Sequence, residues 1–250
     1  MTGGRVLAID TSGTSALVAL GDADGTLLTE RRWPAGYRHG EELLTHVDEM
    51  LTASGTALAD LGGIVVGTGP GAFTGLRVGL ATAKALARGL NIPIAGVPSS
   101  EALLRAASLA GAFEVTRAVL LLPAGPSDRV VVAAGQVPAG EVPAGEAPAG
   151  EAPAGEAPAG EARLLRGGEE PEIEAGAVLV AVDLPDRAPA AALALGAQAE
   201  SGLSAALVRL GVEKLAAGGD DVARLVPEYV SLPRGVPVLK GEVRWSRDHR

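Results

Sequence analysis

The chain has 250 residues, of which 47% are hydrophobic, so it can bury one large core or two small cores that share a cleft. A formal net charge of -9 and an aromatic content of 2% disfavour direct binding to a phosphate backbone or to stacked bases. The absence of cysteine excludes disulfides and thiolate metal sites, and with no apolar run near the ~20 residues that span a bilayer we expect a cytoplasmic protein without membrane contact.

The first half of the sequence predicts three strands followed by alternating helices and strands. Short apolar runs between turn residues predict strands over 5–10, 16–20 and 26–33. An apolar residue every three or four positions predicts a helix over about 39–54. Its apolar face comprises Leu43, Leu44, Val47 and Leu51. Further strands are predicted over 63–69 and 92–97, and they are followed by helices over 74–90 and 99–111.

The second half predicts a shorter copy of the same order. Its predicted strands are 118–125, 129–136, 162–166 and 177–183, and a helix follows from about 189 to 210. Two mixed α/β halves, of which the first opens with two strands joined by a turn around an Asp, resemble the actin, sugar kinase and Hsp70 superfamily. We therefore expect an α/β fold of two ribonuclease H-like halves, the second reduced, with domains over 1–110 and 111–232.

Two segments have the composition of loops. The pentapeptide PAGE(A/V) occurs five times in a row over 138–162. Its regularly spaced Pro and Gly break helices and strands, so we expect an extended loop; the alternative, a solenoid, usually has a longer repeat. The tail over 233–250 is expected to be flexible, and the alternative is contact of its basic residues with transfer RNA. Those residues are Lys240, Arg244, Arg247 and Arg250.

The stretch GTGPGAFTGLRVG, residues 67–79, has the glycine content of a phosphate-binding loop. It is not a Walker loop, because Leu76 and Arg77 follow Gly75 where Lys and then Ser or Thr are required. Its glycine spacing also differs from that of the dinucleotide-binding fingerprint. A vestigial nucleotide loop remains one hypothesis. Its candidate residues are Asp10, Thr11, Ser12, Gly69 and Gly71, with Asp183 from a later strand. The alternative is that Asp10 and Ser12 satisfy the backbone of their own turn.

Small residues recur along the helix predicted over 74–90. Gly75, Gly79 and Ala83 lie four positions apart on one face. Glycine inside a helix costs about 0.5 to 1 kcal/mol relative to alanine, so these positions indicate a closely packed neighbour. That neighbour is either the chain's own sheet or a helix of another protein, and the sequence leaves both open.

Five stretches together resemble one protein family. They are LAIDTS (7–12), RHGEELLTHVDEML (38–51), GTGPGAFTGLRVGLATAKALA (67–87), IPIAGVPSSEAL (92–103) and VPEYVSLP (226–233). These motifs are similar to those of the TsaB family, also called YeaZ. The likeness is close over 5–110, returns over 226–233 and is weak over 115–215.

The resemblance implies a role in making threonylcarbamoyladenosine beside the anticodon of transfer RNAs. It implies a cofactor-free partner that pairs with the transferase TsaD, is joined by the ATPase TsaE, and meets transfer RNA only through the complex. Two helices from each partner would form a bundle. The residues implied at this interface are Leu43, Val47, Leu51, Gly75, Gly79, Leu80 and Ala83. A homodimer through helix faces of this kind, and a free-standing ATP-dependent phosphotransferase or ATPase, are the alternatives.

No catalytic or metal-binding residue is predicted. In TsaD-type proteins two metal-binding histidines follow the strand that matches 92–97, whereas Ser99 and Leu103 occupy those positions here. His39 and His46 are about 10 Å apart along a helix, too far to chelate one ion easily, and we expect both on a solvated face. The sequence also provides no obvious base for a serine nucleophile. We therefore expect a non-catalytic subunit rather than an enzyme.

Overall fold

The computed structural model of the chain describes residues 4–34, 39–111, 118–133, 162–171 and 173–230. Its strands are β1 (Arg5–Asp10), β2 (Ser15–Gly21), β3 (Leu27–Pro34), β4 (Leu61–Gly67), β5 (Ile94–Val97), β6 (Ala118–Pro123), β7 (Arg129–Ala133), β8 (Ala162–Leu165) and β9 (Val178–Ala181). Its helices are α1 (His39–Ala53), α2 (Phe73–Leu90), α3 (Ser99–Gly111) and α4 (Ala190–Ala216). The predicted order of elements is confirmed, and α4 continues past its predicted end at 210.

The first sheet has the strand order β3-β2-β1-β4-β5. Short turns join β1, β2 and β3 into an antiparallel meander, whereas helical crossovers bring β4 and β5 parallel to β1. The carboxyl ends of the three parallel strands therefore meet at one edge of the sheet. Asp10, Gly67 and Val97 end these strands, so the motifs singled out in the sequence converge there.

The second sheet has the strand order β8-β7-β6-β9, with β9 parallel to β6 and the other pairs antiparallel. Because Val132 of β7 pairs with Ala162 of β8, the chain leaves and re-enters this sheet at neighbouring positions on either side of the PAGE(A/V) repeat. The repeat up to 161 and the tail over 233–250 lie outside the described residues. The fold is thus a mixed α/β structure with two sheets.

Apolar side chains fill both faces of the first sheet. On one face, α1 and α2 cover a core that includes Leu7, Ile9 and Leu43. On the other face, α3 and α4 pack in a core that joins Val65 of the first sheet to Leu120 of the second. Since the two sheets share this second core, the division into domains at 110 stays a prediction.

Helix α4 is the one helix in the described ranges that is long and apolar enough to cross a membrane. Its buried residues, among them Ala199, Leu207 and Leu215, pack in the core between the sheets. The sequence contains no uninterrupted apolar run of this length, because Glu200 and Arg209 interrupt the apolar residues of α4. Its packing is that of a core helix.

His46 packs against β3 rather than facing solvent, contrary to the expectation from its spacing. The centroid of its ring lies 4.1 Å from that of Trp33, and its side chain is 22% exposed. The carboxylate of Glu49 is 3.5 Å from His46 Nδ1 and forms a 2.9 Å ion pair with Arg31. The side chain of His39 lies outside the described part of the chain.

Candidate functional site

Asp10, at the end of β1, is the centre of a buried hydrogen-bond network and is only 2% exposed. Its Oδ1 accepts hydrogen bonds from the backbone N–H of Ser12 at 2.8 Å and from the Ser12 hydroxyl at 2.7 Å. Its Oδ2 accepts a hydrogen bond from the Ser99 hydroxyl at 2.6 Å, and the same Ser99 oxygen accepts one from the N–H of Gly69 at 3.2 Å. Both carboxylate oxygens are therefore used inside the chain. The bond from the Ser12 N–H is the one that the turn-satisfying alternative describes, whereas the bond from Ser99 comes from a distant part of the sequence.

The glycine-rich stretch provides the space in which this turn packs. The Thr11 hydroxyl donates a 2.7 Å hydrogen bond to the carbonyl oxygen of Gly75 in the first turn of α2. A Cβ on Gly71 would clash with the carbonyl oxygen of Ser12, and a Cβ on Gly75 or Gly79 would clash with Thr11. The glycine pattern is thus explained by close approach of the chain's own β1–β2 turn, without a phosphate.

A cleft of about 490 Å³ lies beside this turn, between the two sheets. This volume is in the range of small-molecule sites. Apolar side chains from both halves line it, namely Leu17, Leu103, Leu122, Val182 and Leu203. Across the cleft, the Thr14 hydroxyl donates a hydrogen bond to the carboxylate of Asp183, so the structure does bring Asp183 to the first hairpin.

The two arginines that line the cleft are held by the protein itself. Arg32 donates a 3.2 Å hydrogen bond to Glu30 and a 2.9 Å hydrogen bond to the hydroxyl of Ser204. Arg187 donates a 3.1 Å hydrogen bond to the carbonyl oxygen of Gly125. Their guanidinium groups therefore donate hydrogen bonds to groups of the chain itself, which disfavours a role in binding phosphate.

Three acidic residues, Asp10, Asp183 and Glu200, line the cleft. Burial raises the pKa of the Glu200 carboxyl above its ordinary value, the charge of Asp183 raises it further, and Arg32 opposes both effects. In the described part of the chain, no group of three His, Asp or Glu side chains is arranged to hold a metal ion. The polar side chains proposed for a vestigial nucleotide loop lie together, and each of them forms a hydrogen bond with another group of the chain.

The seven residues predicted at a partner interface are buried within the chain. Five of them belong to the core beneath α1 and α2: Leu43, Val47, Leu51, Leu80 and Ala83. The other two, Gly75 and Gly79, face Thr11. These side chains are not available to another protein, so the predicted set is wrong and packing against the chain's own sheet is the alternative that is observed.

The outer side of α1 and α2 is the surface that remains exposed. Leu44, next to buried Leu43 on α1, is 54% exposed. Ala81 and Ala85 are exposed one turn apart on α2, and Val78 is half-buried beside them. We define the outer helix face as Leu44 of α1 together with Val78, Ala81 and Ala85 of α2. Its small side chains allow a helix of another chain to approach closely.

A C-terminal strap, residues 220–230, packs along the edge where the parallel strands end. The backbone N–H of Glu228 donates a 2.8 Å hydrogen bond to the Thr68 carbonyl oxygen, and the Thr68 hydroxyl donates a 2.9 Å hydrogen bond to the Glu228 carboxylate. Burial raises the pKa of Glu228 above its ordinary value. The ring of Tyr229 lies 4.9 Å from that of Phe73 at the start of α2. The motif at 226–233 was the only sequence signal for these contacts.

Comparisons with known proteins identify the family to which the chain is related. The family model described as TsaD: tRNA N6-adenosine threonylcarbamoyltransferase matches residues 34–185. The chain is 41% identical over 93 residues to the tRNA threonylcarbamoyladenosine biosynthesis protein TsaB of Escherichia coli (strain K12), a match that covers 37% of this chain and 39% of that protein. The chain belongs to the TsaB/YeaZ family. The match nevertheless spans less than half the length of this curated relative.

Two further matches place this TsaB/YeaZ family member among its relatives. It is 38% identical over 100 residues to a tRNA N6-adenosine threonylcarbamoyltransferase of Geotalea uraniireducens (strain Rf4), which covers 40% of this chain and 29% of that protein. A crystal structure from Pseudomonas aeruginosa, described as an uncharacterized protein with similarity to peptidase YEAZ, superposes with a TM-score of 0.64 at 23% identity. That likeness covers 91% of this chain and all of the other, and it shows a common fold.

Proposed function

We propose that this TsaB/YeaZ family member is a non-catalytic subunit in the biosynthesis of threonylcarbamoyladenosine in transfer RNA. The observation that carries the proposal is the closed network around Asp10, whose two carboxylate oxygens bond Ser12 and Ser99. In a nucleotide-using relative, the equivalent groups would face a ligand. Ser99 also stands at one of the two positions where the family resemblance places a metal-binding histidine of TsaD. The name of the Escherichia coli relative supports the pathway.

We propose further that the subunit pairs with TsaD through the outer helix face. Leu44 is the large apolar side chain of this face, and the exposed Ala81 and Ala85 leave room for a helix beside it. Burying such a face against a partner would remove apolar area from water without requiring the core residues beneath it to move. The same face would support a homodimer when TsaD is absent.

The remaining partners are assigned to the complex rather than to this chain. A net charge of -9 disfavours strong binding of transfer RNA by the subunit alone, so we place transfer RNA and TsaE on the assembled complex in the cytoplasm. We also propose that the two sheets are ribonuclease H-like halves of the actin, sugar kinase and Hsp70 superfamily. The order β8-β7-β6-β9 supports this proposal, because it repeats β3-β2-β1-β4 without a fifth strand.

The experiment that tests the function is a drop-out assay. TsaD and TsaE from the same organism are mixed with threonylcarbamoyl-AMP, ATP and transfer RNA, and modified adenosine is quantified by mass spectrometry with and without this chain. We expect product only when the chain is present. Equal product without it would overturn the proposal.

A variant distinguishes support from catalysis in the same assay. Thr14→Val removes the hydroxyl that reaches Asp183 across the cleft while leaving the Asp10 network intact. A non-catalytic subunit should support the same rate of modification with this variant. Loss of activity in a variant that still binds TsaD would show that the cleft takes part in the chemistry and would contradict a purely supporting role.

A further inference from the structure

We infer that one edge of α2 selects an acidic helix of the partner protein and thereby orients docking. This cationic edge consists of Arg77, Lys84 and Arg88. The inference rests on the proposed function, because the cationic edge borders the outer helix face through which pairing with TsaD is proposed. The inference adds to the proposed pairing that the partner carries negative charge on the helix that meets the cationic edge.

The three cations form a continuous edge of the helix. At 100° per residue, they fall within about 40° of one another, next to the direction in which Ala81 and Ala85 point. Arg77 and Arg88 are exposed, and Lys84 is half-buried. The guanidinium carbon of Arg77 lies 5.2 Å from the centroid of the Phe73 ring, a contact that holds this side chain at the amino-terminal end of the edge.

Among the described residues, no carboxylate forms an ion pair with the cationic edge. Helix α2 contains no acidic residue, and in the ranges that the structure describes none of the three cations forms an ion pair. Arginines elsewhere on the surface do have carboxylate partners; such pairs are Arg31 with Glu49, Arg209 with Glu213 and Arg224 with Asp221. Lys84 and Arg88 lie four positions apart, where like charges weaken a helix slightly.

Helix α1 of this chain is acidic, which is the charge that would complement the cationic edge. The sequence of α1 contains four acidic residues and neither Lys nor Arg: Glu41, Glu42, Asp48 and Glu49. The TsaD family model matches a range that includes both α1 and α2, so a TsaD partner is built with counterparts of both helices. When a two-fold axis runs along such helices, α2 of one chain faces the α1 counterpart of the other. Charge then favours this arrangement over α2 against α2.

The partner that fits the cationic edge is therefore a TsaD whose α1 counterpart carries acidic side chains. The phosphate backbone of transfer RNA is the weaker candidate, because the chain as a whole carries a net charge of -9 and repels it. Charges at the border of an interface act mainly on the association rate and on the choice of partner, so the inference predicts a salt-dependent encounter.

The test uses the full chain and TsaD from the same organism, with association followed by biolayer interferometry at several salt concentrations. The triple variant Arg77→Glu, Lys84→Glu, Arg88→Glu should lower the association rate constant about 10-fold or more at low salt, with a smaller effect at high salt. The matched control is Arg105→Glu, Arg163→Glu, Arg209→Glu, which changes the net charge equally at exposed positions elsewhere. Circular dichroism checks that both variants are folded.

Each outcome decides between the two proposals. An unchanged rate for the cationic-edge variant, or an equal loss in the control, would overturn the inference and leave the proposed pairing standing. Failure of the unmodified chain to bind TsaD would overturn both. Normal pairing of the cationic-edge variant, with loss of transfer RNA from the complex, would assign the edge to RNA and also overturn the inference. Restoration of the rate by acid-to-lysine changes on the α1 counterpart of TsaD would support it directly.

Discussion

The Oδ2 atom of Asp10 accepts a hydrogen bond from the Ser99 hydroxyl at 2.6 Å, across 89 residues of sequence. The bond joins the end of β1 to the start of α3, and the same Ser99 oxygen holds the N–H of Gly69 in the glycine-rich stretch. Three motifs that would form the ligand side of a nucleotide site are thereby tied to one another. We infer that this network supports the fold rather than chemistry.

Asp10→Ala tests this structural role. The change leaves the hydroxyls of Ser12 and Ser99 buried without their acceptor, so we expect the free energy of unfolding to fall by about 3 kcal/mol. Urea unfolding followed by circular dichroism measures the loss. The exposed Asp48→Ala is the control, and it should change stability little. Unchanged stability of Asp10→Ala together with lost modification activity would instead indicate a catalytic carboxylate.

Gly79→Ala tests whether the glycines of α2 serve the chain's own packing. A Cβ at Gly79 would clash with the Thr11 hydroxyl, so we expect a loss of about 1 to 3 kcal/mol in the free energy of unfolding. Gly89 lies in the same helix with no atom near the position of its Cβ. Gly89→Ala should therefore raise stability by about 0.5 to 1 kcal/mol. Equal effects of the two changes would contradict the packing explanation.

The order of strands and helices could be predicted because each element depends on a local pattern. Which residues of a helix are buried could not be predicted, because burial depends on how the helix packs on the sheet. Leu43 and Leu44 are adjacent leucines that periodicity assigns to one apolar face, yet Leu43 is 0% exposed and Leu44 is 54% exposed. The position of α1 over the sheet decides which of them is covered. The predicted interface failed for this reason, since the most regular apolar positions are those that the monomer itself buries.

Long-range pairing limited the prediction of the site in a different way. The sequence placed Asp10 and Ser12 in one polar turn and suggested that they satisfy its backbone, because the two are only two residues apart. Nothing local connects Asp10 with Ser99, or Thr68 with Glu228, which are 160 residues apart. Such contacts follow from the meeting of parallel strand ends, and they appear only once the sheet order is known.

Ala85→Trp tests the outer helix face as the TsaD docking surface. The indole would occupy the space that a close-packed partner helix needs, so we expect the dissociation constant for TsaD to rise about 100-fold without loss of folding. Because Ala85 is exposed, the monomer can accommodate the larger side chain. Isothermal titration calorimetry measures the effect, and Ala197→Trp on the exposed side of α4 is the control. Tight binding by Ala85→Trp would place the interface elsewhere.

The contact between Glu228 and Thr68 predicts a pH dependence of stability. Burial raises the pKa of Glu228 above its ordinary value of 4.5, the Thr68 hydroxyl lowers it, and the charge of Glu101 raises it. The folded chain therefore binds this proton more tightly than the unfolded chain does. The carboxyl's contribution to the free energy of unfolding is fully present below the ordinary pKa and declines as pH rises through the raised value.

Glu228→Gln isolates this contribution because glutamine cannot ionise and can still accept the hydrogen bond from Thr68. Wild type should lose stability relative to the variant as the pH rises from below 4.5 through the raised pKa, and the loss should be complete above it. Urea unfolding at a series of pH values measures the difference, and Glu174→Gln at an exposed position serves as the control. A difference that stays constant across the range would mean that folding does not shift the pKa of Glu228. A difference that favours wild type increasingly at high pH would mean that a charge on Glu228 stabilises the strap.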